Sequence, residues 1–450
     1  MAASANNNPA AFIGSVKLLC GEEKQAQLFN YVMKSCEEFA SNENLNGLNK
    51  ILAEINAAQY PLPAFAALST KLQIHGKFNT DELKATIAKL RTMTSAVKKE
   101  LMTSKFATVY FLTLKALADA CIAKKIPLLG IKPLYESILW YTDGHPELLT
   151  PAHASFLCLC LKARNFYLCD KIIDIDSELL LQQGLDYRRN NKASSSLMAC
   201  TSEPVLLFFY YAALIRIAQC RYKEGQLLIE QLLCMRGMCN SAIAIEAFKV
   251  GIIVALILEQ DQLFLPGCRN VKFLQSLSRP YLSLAYIVTS AKLSDNIPAL
   301  IKDYAEKNRK IFQQDGNVGL IDVLVRKLQE KKITAMPKTF INIDQNRAMN
   351  RTFFNDNDNF DAIVRKLINN HELKCSIDDG SNIYSFRKLV EGKENKEANN
   401  ENEIDLNVQL QNLADFTNVV RNVHDRLKVV PQNSSGNGKQ SHQSKKRLMI

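Results

Sequence analysis

The chain has 450 residues, which is too long for one ordinary domain and predicts two or three units or one extended solenoid. Hydrophobic residues make up 47% and charged residues 22%, with only 17 Gly and 13 Pro, which favours helices and excludes a largely disordered chain. The net charge is +11, but Val429 to Ile450 carries four basic residues and no acidic one, so the rest of the chain is only mildly basic.

No apolar run is long enough to suggest a membrane span. The longest, Val205 to Ile215 and Val250 to Leu258, fall below the roughly 18 residues needed. Met1 to Ser15 also lacks the basic start of a secretory signal. We therefore expect the protein in the cytoplasm and nucleus, with reduced cysteines that pack as small hydrophobes in apolar helices. These are Cys121, Cys158, Cys160, Cys220 and Cys234, among others.

Residues 1–20 are expected to be disordered, and residues 21–315 are predicted to form a helical-repeat solenoid. From Glu22 to about Asp315 apolar residues recur three and four positions apart, which indicates helices throughout. One stripe predicts a core-facing helix that ends near Pro127 and Gly130. It consists of Phe106, Val109, Tyr110, Thr113, Leu114, Leu117, Ala118 and Cys121.

Paired helices then follow one another along the chain. Thr150 in the N-cap position and Pro151 at the first helical position predict the start of a helix. A break at Arg164-Asn165 and a second short helix, Tyr167 to Asp174, complete a helical hairpin. Such hairpins leave apolar faces that only a neighbouring hairpin covers, so they predict a solenoid. The later predicted helices are Val205 to Cys220, Lys223 to Cys234, Ala242 to Gln260, Pro280 to Lys292, Ile297 to Gln313 and Val318 to Lys331.

The pattern changes after Lys332. A short stretch to Phe340 leads into a polar loop between Asn342 and Asn359, and Phe360 to Asn370 is predicted as an amphipathic helix. Leu373 to Ile377 and Asn382 to Phe386 flank an Asp-Gly turn and predict a β-hairpin. Small helices followed by a hairpin indicate a winged helix, residues 333–390.

The C-terminal part contains a linker, a helix and a tail. Glu391 to Glu403 is a low-complexity linker, and residues 404–428 are predicted to form a helix with a narrow apolar seam that requires a partner. The basic tail, residues 429–450, is expected to be disordered; contact with RNA, nuclear import and a merely solvated end all stay open. The seam consists of Leu406, Leu410, Leu413, Phe416, Val420, Val423 and Leu427.

The sequence contains none of the usual catalytic or metal-binding motifs. It has no C-x-x-C, no H-E-x-x-H and no phosphate-binding glycine loop. Cys158 and Cys160 point about 200° apart on a helix and cannot share one ion. We therefore expect no enzyme activity, no metal and no cofactor. Arg365 and Lys366 on the third winged-helix helix leave nucleic-acid binding as an alternative, but Asp361 on the same helix disfavours it.

Between about Phe106 and Lys388 the chain resembles the subunit-three family of the COP-nine (constitutive photomorphogenesis 9) signalosome. The resemblance rests on five stretches. These are Ile126 to Ile131, His153 to Cys160 continuing to Asp174 to Asp176, the aromatic run Phe208 to Tyr211, Glu246 to Lys249 with Val254 to Leu258, and Lys338 to Phe340 at the start of the winged helix.

The resemblance implies a right-handed, tetratricopeptide-like helical repeat that ends in a PCI domain. The PCI domain would span residues 200–390, with a helical part over 200–332. Lys338, Thr339 and Phe340 match the family's signature, although Phe340 could equally pack in the domain's own core. The hairpin with Ile383, Tyr384 and Phe386 would offer an edge strand to a neighbouring subunit. The seam from Leu406 to Leu427 would enter a bundle of C-terminal helices.

The function implied by the resemblance is that of a non-catalytic scaffold. Another subunit would supply the metalloprotease that removes a ubiquitin-like modifier from cullins, and subunits one and eight would be the neighbours. Cullin-RING ligases would be affected only indirectly. The alternatives are a PCI scaffold subunit of the proteasome lid or of translation initiation factor three, and a winged-helix protein that binds nucleic acid.

Overall fold

The computed structural model describes residues 8–19, 25–74, 76, 79–98, 104–174, 202–235, 241–260, 263, 265, 271–290, 296–354, 357–370, 373–378 and 383–386. Within these ranges a long series of helices precedes one small sheet, which confirms the predicted helical repeat followed by an α+β winged helix. The linker, the C-terminal helix and the tail predicted beyond residue 390 lie outside the described residues.

The described residues form two compact units. The first contains the residues up to Met336 together with Gln345–Leu373, and the second contains Pro337–Asp344 and the residues from Lys374 onward. The helices of the first half are α1 (Pro9–Leu19), α2 (Gln25–Ser41), α3 (Leu45–Glu54), α4 (Pro61–Gln73), α5 (Thr80–Ala96), α6 (Ser104–Ala123), α7 (Pro127–Tyr141), α8 (Pro151–Ala163) and α9 (Asp170–Ile173).

The second half adds ten helices and three strands to the described chain. The helices are α10 (Ser202–Ala218), α11 (Tyr222–Cys234), α12 (Ala242–Ile257), α13 (Val271–Leu277), α14 (Arg279–Ser290), α15 (Ile297–Lys307), α16 (Arg309–Gln314), α17 (Val318–Ala335), α18 (Gln345–Thr352) and α19 (Asn357–Asn369). The strands are β1 (Asn342–Asp344), β2 (Cys375–Asp378) and β3 (Ile383–Phe386).

The prediction of a disordered N-terminus is wrong for the residues of α1. Phe12, Ile13 and Val16 on this helix are buried, and the Phe12 ring lies 6.0 Å from the rings of Tyr31 and Phe39. The Ala- and Asn-rich composition concealed a short apolar face, which packs on α2 and α3. Tertiary packing, rather than intrinsic propensity, stabilises this helix.

The predicted core stripe of α6 is confirmed, because all its members from Phe106 to Cys121 are buried. The expected end of that helix near Pro127 is wrong. Helix α6 ends at Ala123, and Pro127 occupies the first turn of α7, where its missing N–H leaves no hydrogen bond unmade. The stretch that suggested a helix end is therefore the start of the second helix of a hairpin.

Helix α6 is also the helix in the described part of the chain that is long and apolar enough to cross a membrane by length and composition, over Lys105–Ala123. Of this stretch, 67% is buried inside the protein. It packs against α4, α7 and α8. That burial is typical of a core helix in a folded domain.

Close packing within the hairpins depends on small residues at helix contacts. In the hairpin of α10 and α11, a Cβ atom added at Gly225 would lie 2.8 Å from the Ile217 side chain and 3.3 Å from the carbonyl oxygen of Ala213. Gly225 and Ala213 thus take the small-residue role at this helix crossing, and α10 and α11 approach closely because of it.

A polar network joins the end of the repeat to the helices that follow it. The Lys249 ammonium group on α12 contacts Asp315 at 2.9 Å and Glu246 at 2.7 Å. The Tyr281 hydroxyl on α14 donates to Asp315 at 2.7 Å and accepts from the Asn317 amide at 2.9 Å. Burial raises the pKa of Tyr281, so the phenol stays protonated and satisfies both partners.

The winged-helix region follows the order α17, β1, α18, α19, β2, β3. Helix α17 packs on α18 and α19 in the first unit. The predicted helix Phe360 to Asn370 is confirmed within three residues as α19, and the predicted hairpin is confirmed as antiparallel β2 and β3. The predicted loop between Asn342 and Asn359 is wrong, because it contains β1 and α18. Its polar composition hid a strand of three residues and a helix of eight.

Candidate interaction surfaces

The stretch that leads into the sheet exposes two of its three predicted interaction residues. A short 3-10 turn, Met336–Lys338, ends α17 and continues through Thr339 and Phe340 to β1. Lys338 and Thr339 are exposed, whereas Phe340 is half-buried. The neighbouring Ile341 has an exposed fraction of 61%. The side-chain positions are compatible with a contact at Lys338 and Thr339.

The sheet of the second unit has the order β1-β3-β2, so β3 is the central strand. In the registers, Tyr384 pairs with Ile343 of β1 and with Ile377 of β2. The prediction that the hairpin offers an edge strand therefore applies to β2 and not to β3. Among the described residues β2 has a strand neighbour on one side only.

Burial divides the three predicted residues of β3. Ile383 has an exposed fraction of 36%, but Tyr384 and Phe386 are buried, at 3% and 5%. The backbone N–H of Phe386 donates to the carbonyl oxygen of Ile341 at 2.7 Å. Tyr384 and Phe386 pack inside the chain, so of the three predicted contact residues only Ile383 has a substantially exposed side chain, and the contact of this strand with a partner stays a prediction. Sequence alternation alone could not show which face was covered.

The predicted seam, Leu406, Leu410, Leu413, Phe416, Val420, Val423 and Leu427, lies outside the described residues. Its role as a bundle helix stays a prediction.

The candidate nucleic-acid helix α19 places its basic residue Lys366 in an ion pair. The Lys366 ammonium group contacts the buried Glu330 carboxylate at 3.3 Å, and Lys327 contacts the same carboxylate at 2.7 Å. These two cations hold the pKa of Glu330 below its ordinary value despite burial. Asp361 accepts a hydrogen bond from the Gln345 amide at 3.0 Å. Lys366 and Asp361 thus connect α19 to α17 and α18.

No group of three or more His, Cys, Asp or Glu side chains that could hold a metal ion occurs among the described residues. The most buried histidine, His153, caps a helix: the Thr150 N–H donates to Nδ1 at 3.0 Å, so Nε2–H donates to the Pro146 carbonyl oxygen at 2.9 Å. Burial lowers the pKa of His153 to about 4, so the ring is neutral and both nitrogens are occupied. This histidine is therefore structural.

The cysteines only partly follow the expectation of buried packing. Cys121 and Cys160 are buried, Cys158 and Cys234 are half-buried, and Cys220 is exposed. Cys220 follows the end of α10 in a left-handed backbone conformation with φ of 63°. A helix-terminal position, rather than a core position, explains its exposure.

Arg216 on α10 is fully buried and connects three segments. Its guanidinium donates to Asp170 and Asp174, at either end of α9, and lies 3.2 Å from Glu224 on α11. It also donates to the Gln219 amide oxygen at 3.0 Å. A planar guanidinium with several donors suits this arrangement. The contact fixes two successive hairpins against each other.

A groove with a volume of about 330 Å³ lies between α6, α8 and α10. These are the first helices of three consecutive hairpins, and α8 packs on both of the others. The lining residues come from one face of each helix. They are Thr108, Phe111, Leu112, Lys115, Ala118, Asp119 and Ile122 of α6, Pro151, Ala154, Ser155 and Cys158 of α8, and Glu203, Pro204, Leu207 and Tyr211 of α10.

The groove was not predicted from the sequence, although one signal for it exists. Thr108, Leu112, Lys115 and Asp119 form the exposed stripe of α6, and Leu112 interrupts this polar stripe with an exposed fraction of 38%. A large apolar residue on an otherwise polar face indicates a contact surface. The opposing walls could not be assigned without the positions of α8 and α10.

Comparison with known proteins gives the same order of parts as the structure. The family profile described as "COP9 signalosome complex subunit 3, N-terminal helical repeats" matches residues 22–270, which is more than half of the chain. The PCI domain profile matches residues 302–388. The first match covers most of the helical hairpins, and the second covers α16 to β3.

Two curated relatives carry the name COP9 signalosome complex subunit 3. The protein of Drosophila melanogaster is 22% identical over 418 residues, which cover 92% of this chain and 90% of the relative. The protein of Dictyostelium discoideum is 22% identical over 292 residues, which cover 62% of this chain and 63% of the relative. The chain therefore belongs to the COP9 signalosome subunit 3 family of PCI-domain scaffold proteins.

Proposed function

We propose that the chain is a non-catalytic scaffold that supports the removal of a ubiquitin-like modifier from cullins, and so regulates cullin-RING ubiquitin ligases. The observation that carries the proposal is the presence of both family segments, 22–270 and 302–388, in one chain and in this order. Membership of the family implies a complex with other signalosome subunits. Subunits one and eight are the neighbours that we propose, in the cytoplasm and nucleus.

The chemistry of the described residues favours the role of a non-catalytic scaffold. A metal-dependent isopeptidase activates water on a metal ion that three protein ligands normally hold, and no group of three or more His, Cys, Asp or Glu side chains suited to a metal ion occurs among the described residues. His153 and Glu330 are used within the structure. The hairpins instead present long helical surfaces, on which partner proteins bind in repeat proteins generally.

A reconstituted deneddylation assay tests the proposal. The chain alone, with zinc present, is expected to leave a modified cullin intact, whereas the full set of signalosome subunits removes the modifier. Leaving this chain out of the reconstitution is expected to reduce both the amount of assembled complex and the rate. Cleavage by the chain alone, or an unchanged complex without it, would contradict the proposal.

A further inference from the structure

The groove between α6, α8 and α10 is long enough for a short peptide helix. The lining positions of α6 run from Thr108 to Ile122, and a rise of 1.5 Å per residue makes this wall about 21 Å long. That length equals about four turns of a bound helix. The volume of about 330 Å³ is at the lower end of the range that ligand sites occupy.

The floor of the groove is apolar and partly accessible. Leu112 is 38% exposed, and the lining residues Leu207, Tyr211 and Cys158 are each half-buried. They lie on three different helices, so large side chains that entered from outside would contact all three walls. Burial of apolar surface would provide the affinity.

The charged residues on the groove are mainly acidic, which distinguishes it from the basic chain around it. Asp119 on α6 and Glu203 on α10 provide two carboxylates, and Lys115 provides the cation among the lining residues. Both carboxylates belong to exposed residues. A ligand that carries a positive charge therefore complements this surface.

The influence of Asp119 extends to the floor. Burial raises the pKa of the Cys158 thiol and of the Tyr211 phenol, and their mutual hydrogen bond lowers the first and raises the second. Lys162 lowers the pKa of Cys158, whereas the negative charge of Asp119 makes a smaller upward contribution to both pKa values. The carboxylate thus lies close enough to affect groups on α8 and α10. A cation bound beside Asp119 would lower the pKa of the same two groups, Cys158 and Tyr211.

We propose that this groove binds an amphipathic segment of a partner protein, which places large apolar side chains between α6, α8 and α10 and a lysine or arginine beside Asp119 and Glu203. The segment binds as a helix, because an amphipathic helix presents its apolar side chains along one face, and a wall about 21 Å long accepts about four turns of it. The proposal relies on the proposed scaffold role only for the source of the partner, another subunit of the complex.

Photo-crosslinking in the assembled complex tests the proposal. Leu112 is replaced by p-benzoylphenylalanine, the chain is assembled with the other signalosome subunits and irradiated, and the crosslinked peptide is identified by mass spectrometry. Leu128 on α7, which is 62% exposed and does not line the groove, is the matched control. The expected peptide belongs to another subunit and has at least two large apolar residues with a lysine or arginine within about one helical turn.

Three outcomes of this experiment would overturn the proposal. They are a yield at Leu112 no higher than at Leu128, a crosslink confined to the chain itself, and a crosslink to an acidic segment. If the complex assembles normally in any of these cases, the scaffold role stands while the groove proposal fails. If no complex assembles with the unmodified chain, the proposed function fails instead.

A binding measurement then tests the charge. A synthetic peptide with the crosslinked sequence is titrated against the full chain and its variants. Asp119→Lys is expected to weaken binding about tenfold, and Asp322→Lys, on the exposed face of α17, is expected to leave it unchanged. Glu203→Lys serves as a second reversal if Asp119→Lys alters the circular dichroism spectrum. Equal affinity in all variants would contradict the proposal.

Discussion

Arg216 is the largest fully buried side chain of the described residues. Its position depends on partners that are distant in sequence, since Asp170 and Asp174 precede it by 46 and 42 residues. No local pattern predicts such a contact. The sequence predicted only that Arg216 lies in the apolar helix from Val205 to Cys220. The chain tolerates a buried guanidinium here because three carboxylates and an amide satisfy its donors.

Replacement of Arg216 tests how much this contact stabilises the repeat. Arg216→Met keeps much of the side-chain volume but removes the hydrogen bonds to the carboxylates, so we expect a loss of about 2 kcal/mol in the free energy of unfolding. For a domain of this size the corresponding decrease in Tm is about 5 °C. Differential scanning fluorimetry measures it.

Arg221→Met is the control for that prediction. Arg221 contacts Glu224 at 2.7 Å, but its side chain is 43% exposed, and solvent-exposed pairs contribute little. Its Tm is expected to stay within about 1 °C of the original. Equal decreases in Tm for Arg216→Met and Arg221→Met would show that the burial of Arg216 does not add to its contribution to stability.

His153 predicts a pH dependence of stability. Its pKa is lowered from 6.5 to about 4 in the folded chain, so between these values the unfolded state binds a proton that the folded state does not. The contribution of neutral His153 to the free energy of unfolding is fully present above pH 6.5 and is lost as the pH falls towards 4. The loss at pH 5 is about 2 kcal/mol.

The measurement compares the Tm at pH 7.5 and pH 5.0 for the original chain and for His153→Gln. Glutamine at this position can still cap the Thr150 N–H but does not titrate, so the variant is expected to lose less stability between the two pH values. His145→Gln, at a side chain that is 63% exposed, is expected to keep the original difference. The same pH dependence in all three proteins would refute the role given to His153.

At the scale of elements, periodicity and turn chemistry predicted much of the fold. The stripe from Phe106 to Cys121, the capped start at Thr150-Pro151 and the hairpin around the Asp-Gly turn are all present as helix or strand. The short elements α1, β1 and α18 were missed. Each has few residues or a polar composition, and each is stabilised by contacts outside its own sequence. Local patterns cannot reveal such contacts.

Helix α1 provides a direct test of this interpretation. Phe12→Ala removes a ring that is 2% exposed, and we expect a local loss of about 3 kcal/mol. Hydrogen exchange in residues 9–19 should then accelerate by about a hundredfold, because local opening determines that rate. Leu18→Ala, at a side chain that is 82% exposed, should leave the exchange unchanged. Fast exchange of these amides in the original chain would mean that α1 is not docked.

For the whole molecule, the sequence predicted the identity of the interaction modules better than their contact residues. Lys338 and Thr339 are exposed as expected, but the edge strand of the hairpin is β2 rather than β3, and Tyr384 and Phe386 are buried. The groove between α6, α8 and α10 is lined by residues from Thr108 to Tyr211, which are far apart in the sequence. Strand order and helix stacking are tertiary properties, and alternation within one segment does not encode them.

The C-terminal seam remains a prediction about assembly. Leu413→Asp combined with Val420→Asp is expected to leave the Tm of the helical repeat unchanged and to weaken complex formation at least tenfold, because charges would enter a desolvated helix contact. Size-exclusion chromatography of the co-expressed subunits measures the effect. The double substitution to Ala is a milder control at the same positions. Normal assembly of the Asp variant would show that this helix is not an interface.

The scaffold assignment itself is tested most directly by affinity purification of the chain from cells at native abundance, followed by quantitative mass spectrometry. The account predicts that the other signalosome subunits are recovered in equal amounts with the chain, together with cullins in smaller amounts. Recovery of proteasome subunits or ribosomal subunits without cullins would contradict it.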